Sequence, residues 1–450
     1  MDRIDTIAAL STAPGTAAIA MVRLSGPEAW PAVRDIGKGL PAHPQARYAH
    51  FTTLADADGP IDDAVVTWFK GPASYTGEDV VEIGIHGSIH VQQRVLQALL
   101  AAGARAALPG EFTQRAFLNR KLDLSQAEAV ADLIASRSKA QHQLAMQQLR
   151  GGFGKAIEDL RQRLIDLAAL IELELDFAEE DVVFAERDDL IALIDEITAL
   201  CTRLISSFQY GNAIKEGIPV AILGAPNSGK STLLNALLNE DRAIVSDIPG
   251  TTRDTVEETM TIDGMLFRFI DTAGIRRTDD AVEKLGIERT YQKAAQATII
   301  VLLGDSSVLA EGALHTEAAM LRERVGKGPM VIPVLNKADV PGASAGRNTL
   351  SISARTGMGL DELRGVFVRH VQGMDQGIGD MVVTNARHVD ALTKARAALL
   401  DARSGITGGM GGELLATDLR RAQYHLGEIT GQITPDDLLG SIFGRFCIGK

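Results

Sequence analysis

Residues 224–231 read Gly-Ala-Pro-Asn-Ser-Gly-Lys-Ser and fit the phosphate-loop pattern G-x-x-x-x-G-K-[ST]. Glycines in such a loop let backbone N–H groups close around phosphates. Lys230 would reach the β- and γ-phosphates, and the Ser231 hydroxyl would coordinate Mg²⁺. An apolar strand over 220–223 precedes the loop and a helix over 231–238 follows it. This feature therefore predicts an α/β sheet that holds a nucleotide at its carboxyl edge.

A second motif identifies the base. Residues 336–339 read Asn-Lys-Ala-Asp. The Asp339 carboxylate can accept both donors on the N1 and N2 edge of guanine, which adenine does not present, and a polar site left unpaired rejects the wrong base. Between the two motifs, residues 271–274 read Asp-Thr-Ala-Gly, an aspartate placed for Mg²⁺ and a glycine able to sense the γ-phosphate. The three motifs in this order predict a GTP-binding GTPase domain.

Composition limits the other functions. A formal net charge of −13 and an aromatic content of 4% argue against an extensive basic surface or a base-stacking platform for nucleic acid. The two cysteines, Cys201 and Cys447, lie far apart and indicate a reducing compartment. The first residues show no signal or transit peptide, and no apolar run reaches membrane-spanning length. We therefore expect a cytoplasmic protein without membrane contact.

The pattern of polar and apolar residues predicts four segments. Strand-like runs at 17–24, 64–69 and 80–85, a helix over 91–102 and turn signals predict an α+β domain over residues 1–119. Residues 120–214 are helical, with an apolar stripe of period 3.6 between Ile157 and Leu175. Residues 215–375 form the α/β nucleotide domain, in which the apolar run 298–303 is predicted as a strand. Residues 376–450 are helical again, except for the glycine-rich stretch 405–412, which we expect to be a flexible loop. The simplest organisation is an α/β domain inserted into an all-α domain that is split in sequence.

Further runs carry a family resemblance. They are Gly-Glu-Asp-Val at 77–80, Gly-Glu-Phe-Thr at 110–113, Arg-Ala-Phe-Leu-Asn at 115–119, Lys-Leu-Asp-Leu at 121–124, Gly-Thr-Thr-Arg-Asp at 250–254 and Phe-Cys-Ile-Gly-Lys at 446–450. With the nucleotide motifs, they make the chain resemble the MnmE (TrmE) family of tRNA-modification GTPases along essentially its whole length.

The resemblance implies a tetrahydrofolate-binding N-terminal domain, a split helical domain and an inserted Ras-like P-loop GTPase domain. It also implies a homodimer joined through the N-terminal domains. With an FAD- and NADH-using partner of the MnmG/GidA type, this dimer would form a hetero-oligomer. Together they would install an aminomethyl or carboxymethylaminomethyl group on carbon 5 of the wobble uridine of certain tRNAs. The one-carbon donor would be 5-formyl-tetrahydrofolate or a related tetrahydrofolate.

Two residues are candidates for catalysis. Ile275 stands where Ras-type enzymes carry a water-orienting glutamine, so another group must position water. The resemblance assigns that task to Glu283. From the residues alone, the alternative is that Glu283 is a solvated charge at the start of a helix. Cys447 is functionally required in the family, although a small buried hydrophobe is the plain alternative.

The resemblance also implies ligand sets. K⁺ would be bound by Asn227, Ser246, Ile248 and Thr251, and Mg²⁺ by Ser231 and Thr252. Folate would be bound by Arg23, Glu82, Lys121 and Lys450. The full set expected at GTP is Asn227, Ser228, Gly229, Lys230, Ser231, Thr232, Ser246, Asp247, Ile248, Pro249, Gly250, Thr251, Thr252, Asp271, Thr272, Ala273, Gly274, Asn336, Lys337, Asp339, Ser353, Ala354 and Arg355.

Two other classes of function compete with a K⁺-stimulated GTPase that drives tRNA modification. One is a regulatory GTP switch in RNA or ribosome assembly without modification chemistry. The other is a nucleotide-gated assembly protein whose helical domain is only a partner-binding surface. A basic RNA-binding module would favour the first, and the sequence contains none. The folate-type N-terminal domain and the terminal cysteine argue against both.

Overall fold

The computed structural model describes most of the chain. Its described residues are 5–176, 187–239, 258–270, 292, 294–326, 328–341, 349–374, 381–408, 411–434 and 436–450. Contacts divide the chain into two compact units. The first comprises Met1–Ala131, Gln148–Arg187 and Ser404–Lys450, and the second comprises Asp132–Gln147 and Asp188–Arg403. The boundaries at residues 119, 214 and 375 stay a prediction.

A six-stranded sheet forms the centre of the first unit. Its strands are β1 (Ile7–Leu10), β2 (Ile19–Ser25), β3 (Ala49–Asp56), β4 (Gly59–Phe69), β5 (Val80–His86) and β6 (Arg105–Ala106). The spatial order is β3-β4-β5-β2-β1-β6, antiparallel except for the parallel β1–β6 pair.

The two faces of this sheet differ because successive residues of a strand point to opposite sides. On one face Val22 and Leu24 are fully buried among residues of helices α1 (Ala29–Ile36) and α2 (Ile89–Ala101). On the other face Arg23 lies opposite Glu82 in the β2–β5 register. The alternation along the strands therefore places Arg23 and Glu82 on the sheet face opposite to α1 and α2.

The second unit contains a six-stranded sheet with the order β12-β11-β10-β7-β9-β8. Its strands are β7 (Ile218–Leu223), β8 (Glu258–Ile262), β9 (Met265–Phe269), β10 (Ile299–Asp305), β11 (Met330–Asn336) and β12 (Leu350–Ser351). All pairs are parallel except β8–β9. Parallel strands end at a common edge, so β7, β10 and β11 deliver their polar turns to one side of the sheet.

The other helices occupy both units. They are α3 (Glu111–Leu118), α4 (Leu124–Ala135), α5 (Lys139–Leu149), α6 (Gly152–Asp176), α7 (Arg187–Glu216), α8 (Lys230–Asn239), α9 (Glu311–Val325), α10 (Leu360–Met374), α11 (Ala386–Thr407), α12 (Gly412–Thr430) and α13 (Asp436–Phe443). None of these described helices is both long and apolar enough to span a bilayer.

Helices from before and after the nucleotide motifs pack together. Within the first unit, Gln423 of α12 donates from Nε2 to the Leu164 carbonyl of α6 at 2.7 Å. The stripe predicted on α6 is buried, since Ile157 and Leu164 are 0% exposed. Within the second unit, Arg403 of α11 donates from Nε to Oδ1 of Asp195 in α7 at 2.6 Å. Both contacts confirm an all-α portion that is split in sequence.

One local expectation was wrong. The glycine-rich stretch 405–412 was expected to be a flexible loop, but α11 continues to Thr407. Ile406 is 6% exposed, so burial of this side chain extends the helix past Gly405.

Candidate functional site

Close approaches explain the glycines of the phosphate loop. A Cβ added to Gly224 (φ +148°) would lie 2.2 Å from the Leu303 carbonyl oxygen. A Cβ on Gly229 (φ +97°) would lie 2.2 Å from Nδ2 of Asn336. Asn227 adopts a left-handed conformation with φ of 61°, which asparagine tolerates better than most residues. A side chain at either position would collide with β10 or with Asn336, so the loop requires glycine there.

Lys230 is held ready for an anion. Its Nζ donates to the carbonyl oxygens of Gly224 and Ala225, both at 2.9 Å. The ammonium group is half-buried, and this burial lowers its pKa. No carboxylate of the described residues pairs with it. A nucleotide phosphate would supply the missing negative charge.

Asn336 joins the phosphate loop to the base motif and to the turn that follows β12. Its side chain is buried, and Nδ2 donates to the Ser228 carbonyl of the phosphate loop at 2.8 Å. Its Oδ1 accepts from the Ala354 N–H at 2.9 Å. The amide is thereby fully engaged in fixing the loop that carries Asp339. It positions the phosphate and base motifs relative to each other.

Asp339 presents its carboxylate at the surface. Oδ1 accepts a hydrogen bond of 2.6 Å from the hydroxyl of Ser353, which is 0% exposed. That hydrogen bond holds the pKa of Asp339 below its ordinary value. The Thr356 N–H donates to the same hydroxyl at 3.2 Å and orients it. Arg355 between them is exposed. An ionised, oriented carboxylate suits the two donors of guanine.

Asp305 and Ser306 are functional candidates that sequence reasoning missed. The Ser306 N–H and hydroxyl both donate to the Asn336 carbonyl, at 2.9 and 2.6 Å. Lys337, whose φ is 67°, donates from Nζ to Oδ2 of Asp305 at 2.6 Å. Ser307 donates to the other carboxylate oxygen. These contacts hold the base motif in a backbone conformation that costs about 1–2 kcal/mol. The run Asp-Ser-Ser directly after a buried strand was the available signal.

We expect Asp305→Asn to weaken GDP binding by about tenfold, since a hydrogen bond to a charged group contributes about 1.5–3 kcal/mol. The reason is that Lys337 loses the ionic partner that fixes its side chain beside the base motif. Fluorescence titration with a labelled GDP measures the effect. Asp361→Asn is the matched control, because that aspartate is 98% exposed on α10. Equal affinities in both variants would contradict the positioning role of Asp305.

Other predicted nucleotide residues are only partly described. Ser231 lies partly buried in the first turn of α8, and Thr232 beside it is exposed. A hydroxyl and the Asn227 amide oxygen are hard oxygen ligands that fit Mg²⁺ and K⁺. The residues that lie outside the described ones are Ser246, Asp247, Ile248, Pro249, Gly250, Thr251, Thr252, Asp271, Thr272, Ala273, Gly274 and Glu283.

The chain end docks on the N-terminal sheet. A Cβ on Gly449 (φ +92°) would lie 2.2 Å from the Leu10 carbonyl oxygen of β1. The Ser11 hydroxyl donates to the Gly449 carbonyl at 3.2 Å, and the Gly110 N–H donates to the Cys447 carbonyl at 3.4 Å. Cys447 is exposed and free. This backbone anchoring leaves its thiol accessible at a defined place on the sheet.

The two cysteines differ in environment. Cys201 is free but 0% exposed within α7, and burial raises the pKa of its thiol to about 11. A thiol with so high a pKa is inert as a nucleophile. Cys447 is therefore the chemically accessible thiol of the two.

Arg23 and Glu82 lie in direct contact. The guanidinium donates from Nε and Nη2 to Oε1 of Glu82, at 3.0 and 2.7 Å. It also lies over the rings of Tyr75 and Phe112, 5.4 and 5.8 Å from their centroids. Lys450 at the chain end is partly exposed. The opposite charges of Arg23 and Glu82, beside the partly exposed Tyr75 ring, suit a planar heterocycle that carries donors and acceptors.

A charged network fixes the loop that contains Tyr75. Arg115 is 7% exposed and donates to Glu78 at 3.0 Å, to Asp5 at 2.8 Å and to Glu111 at 3.2 Å. Arg105 donates to Glu111 at 2.6 Å. The motif residues at 77–80, 110–113 and 115–119 therefore form a structural support beneath the Arg23 site.

The comparisons with known proteins agree with this architecture. The family model of the GTP-binding protein TrmE N-terminus matches residues 6–121. The model of the MnmE helical domain matches residues 124–447, more than half of the chain, and this span includes the nucleotide motifs. The chain belongs to the MnmE family. Its N-terminal α+β domain, helical domain and P-loop GTPase domain are those of the family, and it is a GTP hydrolase.

Members of the MnmE family resemble this chain over its whole length. The protein of Christiangramia forsetii is 47% identical over 99% of both chains and is named tRNA modification GTPase MnmE. The equally named protein of Flavobacterium johnsoniae is 46% identical, again over 99% of both chains. That of Cytophaga hutchinsonii is 47% identical over 99% of this chain and 98% of its own. This chain is thus an MnmE-family tRNA modification GTPase.

Proposed function

We propose that the protein is a K⁺-stimulated cytoplasmic GTPase that modifies carbon 5 of the wobble uridine in certain tRNAs. It acts with an FAD-dependent partner of the MnmG/GidA type, which uses NADH, and adds an aminomethyl or carboxymethylaminomethyl group. A tetrahydrofolate such as 5-formyl-tetrahydrofolate donates the one-carbon unit. The observation that carries the proposal is the full-length identity with relatives named tRNA modification GTPase.

The described residues have distinct tasks at GTP. Lys230 binds the phosphates, since its half-buried ammonium contacts only neutral carbonyls in the described residues. Asp339 binds the base edge. Ser231 would hold Mg²⁺ together with Thr252, and Asn227 would hold K⁺ together with loop oxygens. These cations neutralise charge that develops on the transferred phosphoryl group.

Glu283→Ala is expected to lower GTP turnover by at least about 100-fold while nucleotide affinity changes little, because positioning of a general base typically contributes that much. The motivation is Ile275, which cannot orient water. Phosphate release under saturating GTP measures turnover, and Glu288→Ala provides a control in the same acidic stretch. Unchanged turnover in Glu283→Ala would remove this residue from the mechanism.

The same phosphate-release assay with Na⁺ in place of K⁺ tests the cation requirement.

Folate binding is assigned to the face that carries Arg23 and Glu82. The carboxylate can pair with the amino-pyrimidinone edge of the pterin, and the partly exposed Tyr75 ring near Arg23 can pack against it. Lys121 and Lys450 would bind carboxylates of the glutamate tail. The Cys447 thiol, anchored through its backbone to Gly110, is accessible to a one-carbon unit on the same unit of the protein.

The homodimer is supported by an uncovered apolar row on this sheet. Phe51 of β3 is 74% exposed and lies opposite Val65 of β4, which is 46% exposed. Val65 in turn lies opposite Gly84, which lies opposite Met21. A flat apolar row that crosses four strands suits a second copy of the same surface about a two-fold axis.

Phe51→Glu is expected to shift the protein from dimer to monomer and to weaken self-association by at least about 30-fold, because loss of a buried aromatic anchor costs about 2 kcal/mol or more. Sedimentation velocity over a concentration series measures the shift. Gln45→Glu introduces the same charge in an exposed loop and should leave the dimer intact. A Phe51→Glu protein that remains dimeric would place the interface elsewhere.

The decisive experiment is nucleoside mass spectrometry of total tRNA from cells depleted of the protein. Loss of aminomethyl-type wobble uridines, restored by the wild type and not by Cys447→Ser, is the expected result. Unchanged wobble uridines would contradict the modification role and favour the regulatory GTP switch, while the GTPase activity would stand.

A further inference from the structure

Two cations are held on the loop formed by residues 70–79. Lys121 donates from Nζ to the Pro72 carbonyl at 3.0 Å, and Arg47 donates from Nη2 to the Ala73 carbonyl at 3.1 Å. Because the two carbonyls are consecutive in the chain, the two charges lie on the order of 10 Å apart. Arg120 precedes Lys121 in sequence and is exposed, as are the other two. We call Arg47, Arg120 and Lys121 the cation cluster.

The cation cluster carries uncompensated charge. Among the described residues, none of its three side chains forms an ion pair with a carboxylate, and the partners of Lys121 and Arg47 are neutral carbonyls. Of the carboxylates in the same loop, Glu78 pairs with Arg115, and Asp79 accepts a hydrogen bond from the Gly71 N–H. In a chain with a net charge of −13, such a cluster creates a local attraction for anions.

Backbone conformation adds an independent observation. Arg47 and Arg120 have φ of 60° and 57°, in the left-handed region that disfavours residues with a Cβ. Arg120 follows Asn119, the C-cap of α3, at the position where helices prefer glycine. The Arg120 N–H donates to the Phe117 carbonyl and the Lys121 N–H donates to the Ala116 carbonyl, at the C-terminal end of α3. Glycine would suit both positions at least as well, so the local backbone conformation does not account for arginine there.

The loop itself is rigid and adjoins the Arg23 site. Asn119 donates from Nδ2 to the Thr76 carbonyl at 2.7 Å, and the Ser74 hydroxyl donates to the Glu78 carbonyl. Tyr75 of the same loop lies under the Arg23 guanidinium. A ligand bound at Arg23 can therefore extend along the loop to the cation cluster.

We propose that the cation cluster binds the γ-linked polyglutamate chain of a tetrahydrofolate, so that the polyglutamylated cofactor is the preferred form. This inference rests on the folate assignment of the proposed function. A chain that carries one carboxylate per residue matches two cations held against one loop and a third next to them in sequence. An RNA backbone would need a broad basic surface, which three charges on an acidic chain do not provide.

The test compares 5-formyl-tetrahydrofolate with one glutamate and with five, by calorimetric titration of the full-length protein. The pentaglutamate is expected to bind about tenfold more tightly, and added salt should reduce this preference because the charges are exposed. Equal affinity of the two forms would overturn the inference and leave folate binding intact. If neither form binds, both the folate assignment and the inference fail.

Two variants locate the effect. Arg47→Gln and Arg120→Gly should each lower the preference for pentaglutamate at least threefold without changing affinity for the monoglutamate. Arg120→Gly should also melt at the wild-type temperature or above it, since glycine suits the helix end. Arg34→Gln, an exposed arginine of α1, is the control. If both variants keep the wild-type preference for pentaglutamate, the assignment is overturned. It is also overturned if the variants lose tRNA binding while their preference for pentaglutamate is unchanged.

Discussion

Asp339→Asn is expected to reduce GTP affinity at least about 100-fold, because two hydrogen bonds to a charged acceptor contribute about 1.5–3 kcal/mol each. The carboxylate accepts from N1 and N2 of guanine, whereas an amide offers only one acceptor there. The amide nitrogen can instead donate to the carbonyl that xanthine carries at carbon 2. Xanthine nucleotides should therefore bind the variant better than the wild type. Competition titrations with GDP and xanthosine diphosphate measure both effects.

A control in the same domain separates base recognition from a general effect of losing a negative charge. Asp263→Asn makes the same change in the exposed turn between β8 and β9, where φ is 49° and asparagine is well tolerated. It should leave both affinities unchanged. If Asp339→Asn kept its preference for guanine, Ser353 and Asp339 would have a structural task only.

Arg115→Met is expected to lower the free energy of unfolding of the N-terminal domain by about 3–5 kcal/mol, the usual effect of removing one partner of a buried ion pair. The variant leaves Glu78 without its guanidinium partner, and Glu111 keeps only its pair with Arg105. Methionine fills a similar volume, so charge rather than a cavity dominates the loss. Urea denaturation followed by circular dichroism measures the change.

The pH dependence of this loss gives a second readout. Hydrogen bonds from Arg105, with those from Arg115, hold the pKa of Asp5 below its ordinary 3.8. Burial raises the pKa of Glu111, but hydrogen bonds from Arg105, the Leu108 amide and Arg115 outweigh it and leave the pKa below 4.5. A carboxyl group whose pKa is lower in the folded than in the unfolded protein stabilises the fold at pH values above its unfolded pKa. This stabilisation is lost as the pH falls through the folded pKa. The difference between wild type and variant should therefore shrink below about pH 4.

Lys394→Met is the control for Arg115→Met, because its ion pair with Asp390 is about half exposed on α11. Exposed pairs contribute about 0–1 kcal/mol, so this variant should unfold almost like the wild type. A small effect of Arg115→Met, equal to that of the control, would show that the buried network does not support the fold.

The sequence predicted strands well where apolar residues form continuous or alternating runs. Strand β10 is buried along almost its whole length, and the predicted run 298–303 falls within one residue of its start. Strands β1 and β3 were missed. The run Ile-Ala-Ala-Leu of β1 is short and rich in alanine, which has little preference for strands. Its pairing with β2 and β6, rather than its own composition, makes it a strand.

The candidate sites divide in the same way. Lys230 and Asp339 stand in contiguous motifs whose spacing alone predicts their chemistry. Asp305 does not, because it meets the base motif only through the parallel register that pairs it with Asn336. Arg47 lies far in sequence from Lys121, and the two come together on adjacent carbonyls of a third segment. No local pattern predicts contacts of that kind.

The sequence by itself determined the nucleotide chemistry, the split helical organisation and the family, since each depends on contiguous motifs or on apolar periodicity. Only the tertiary structure decided which side chains support those motifs. Sheet register brought Asp305 to Asn336. The close approach of Gly449 to β1 set the place of Cys447. These contacts join residues distant in the chain, and their free energy exists only when the sheets and helices have packed.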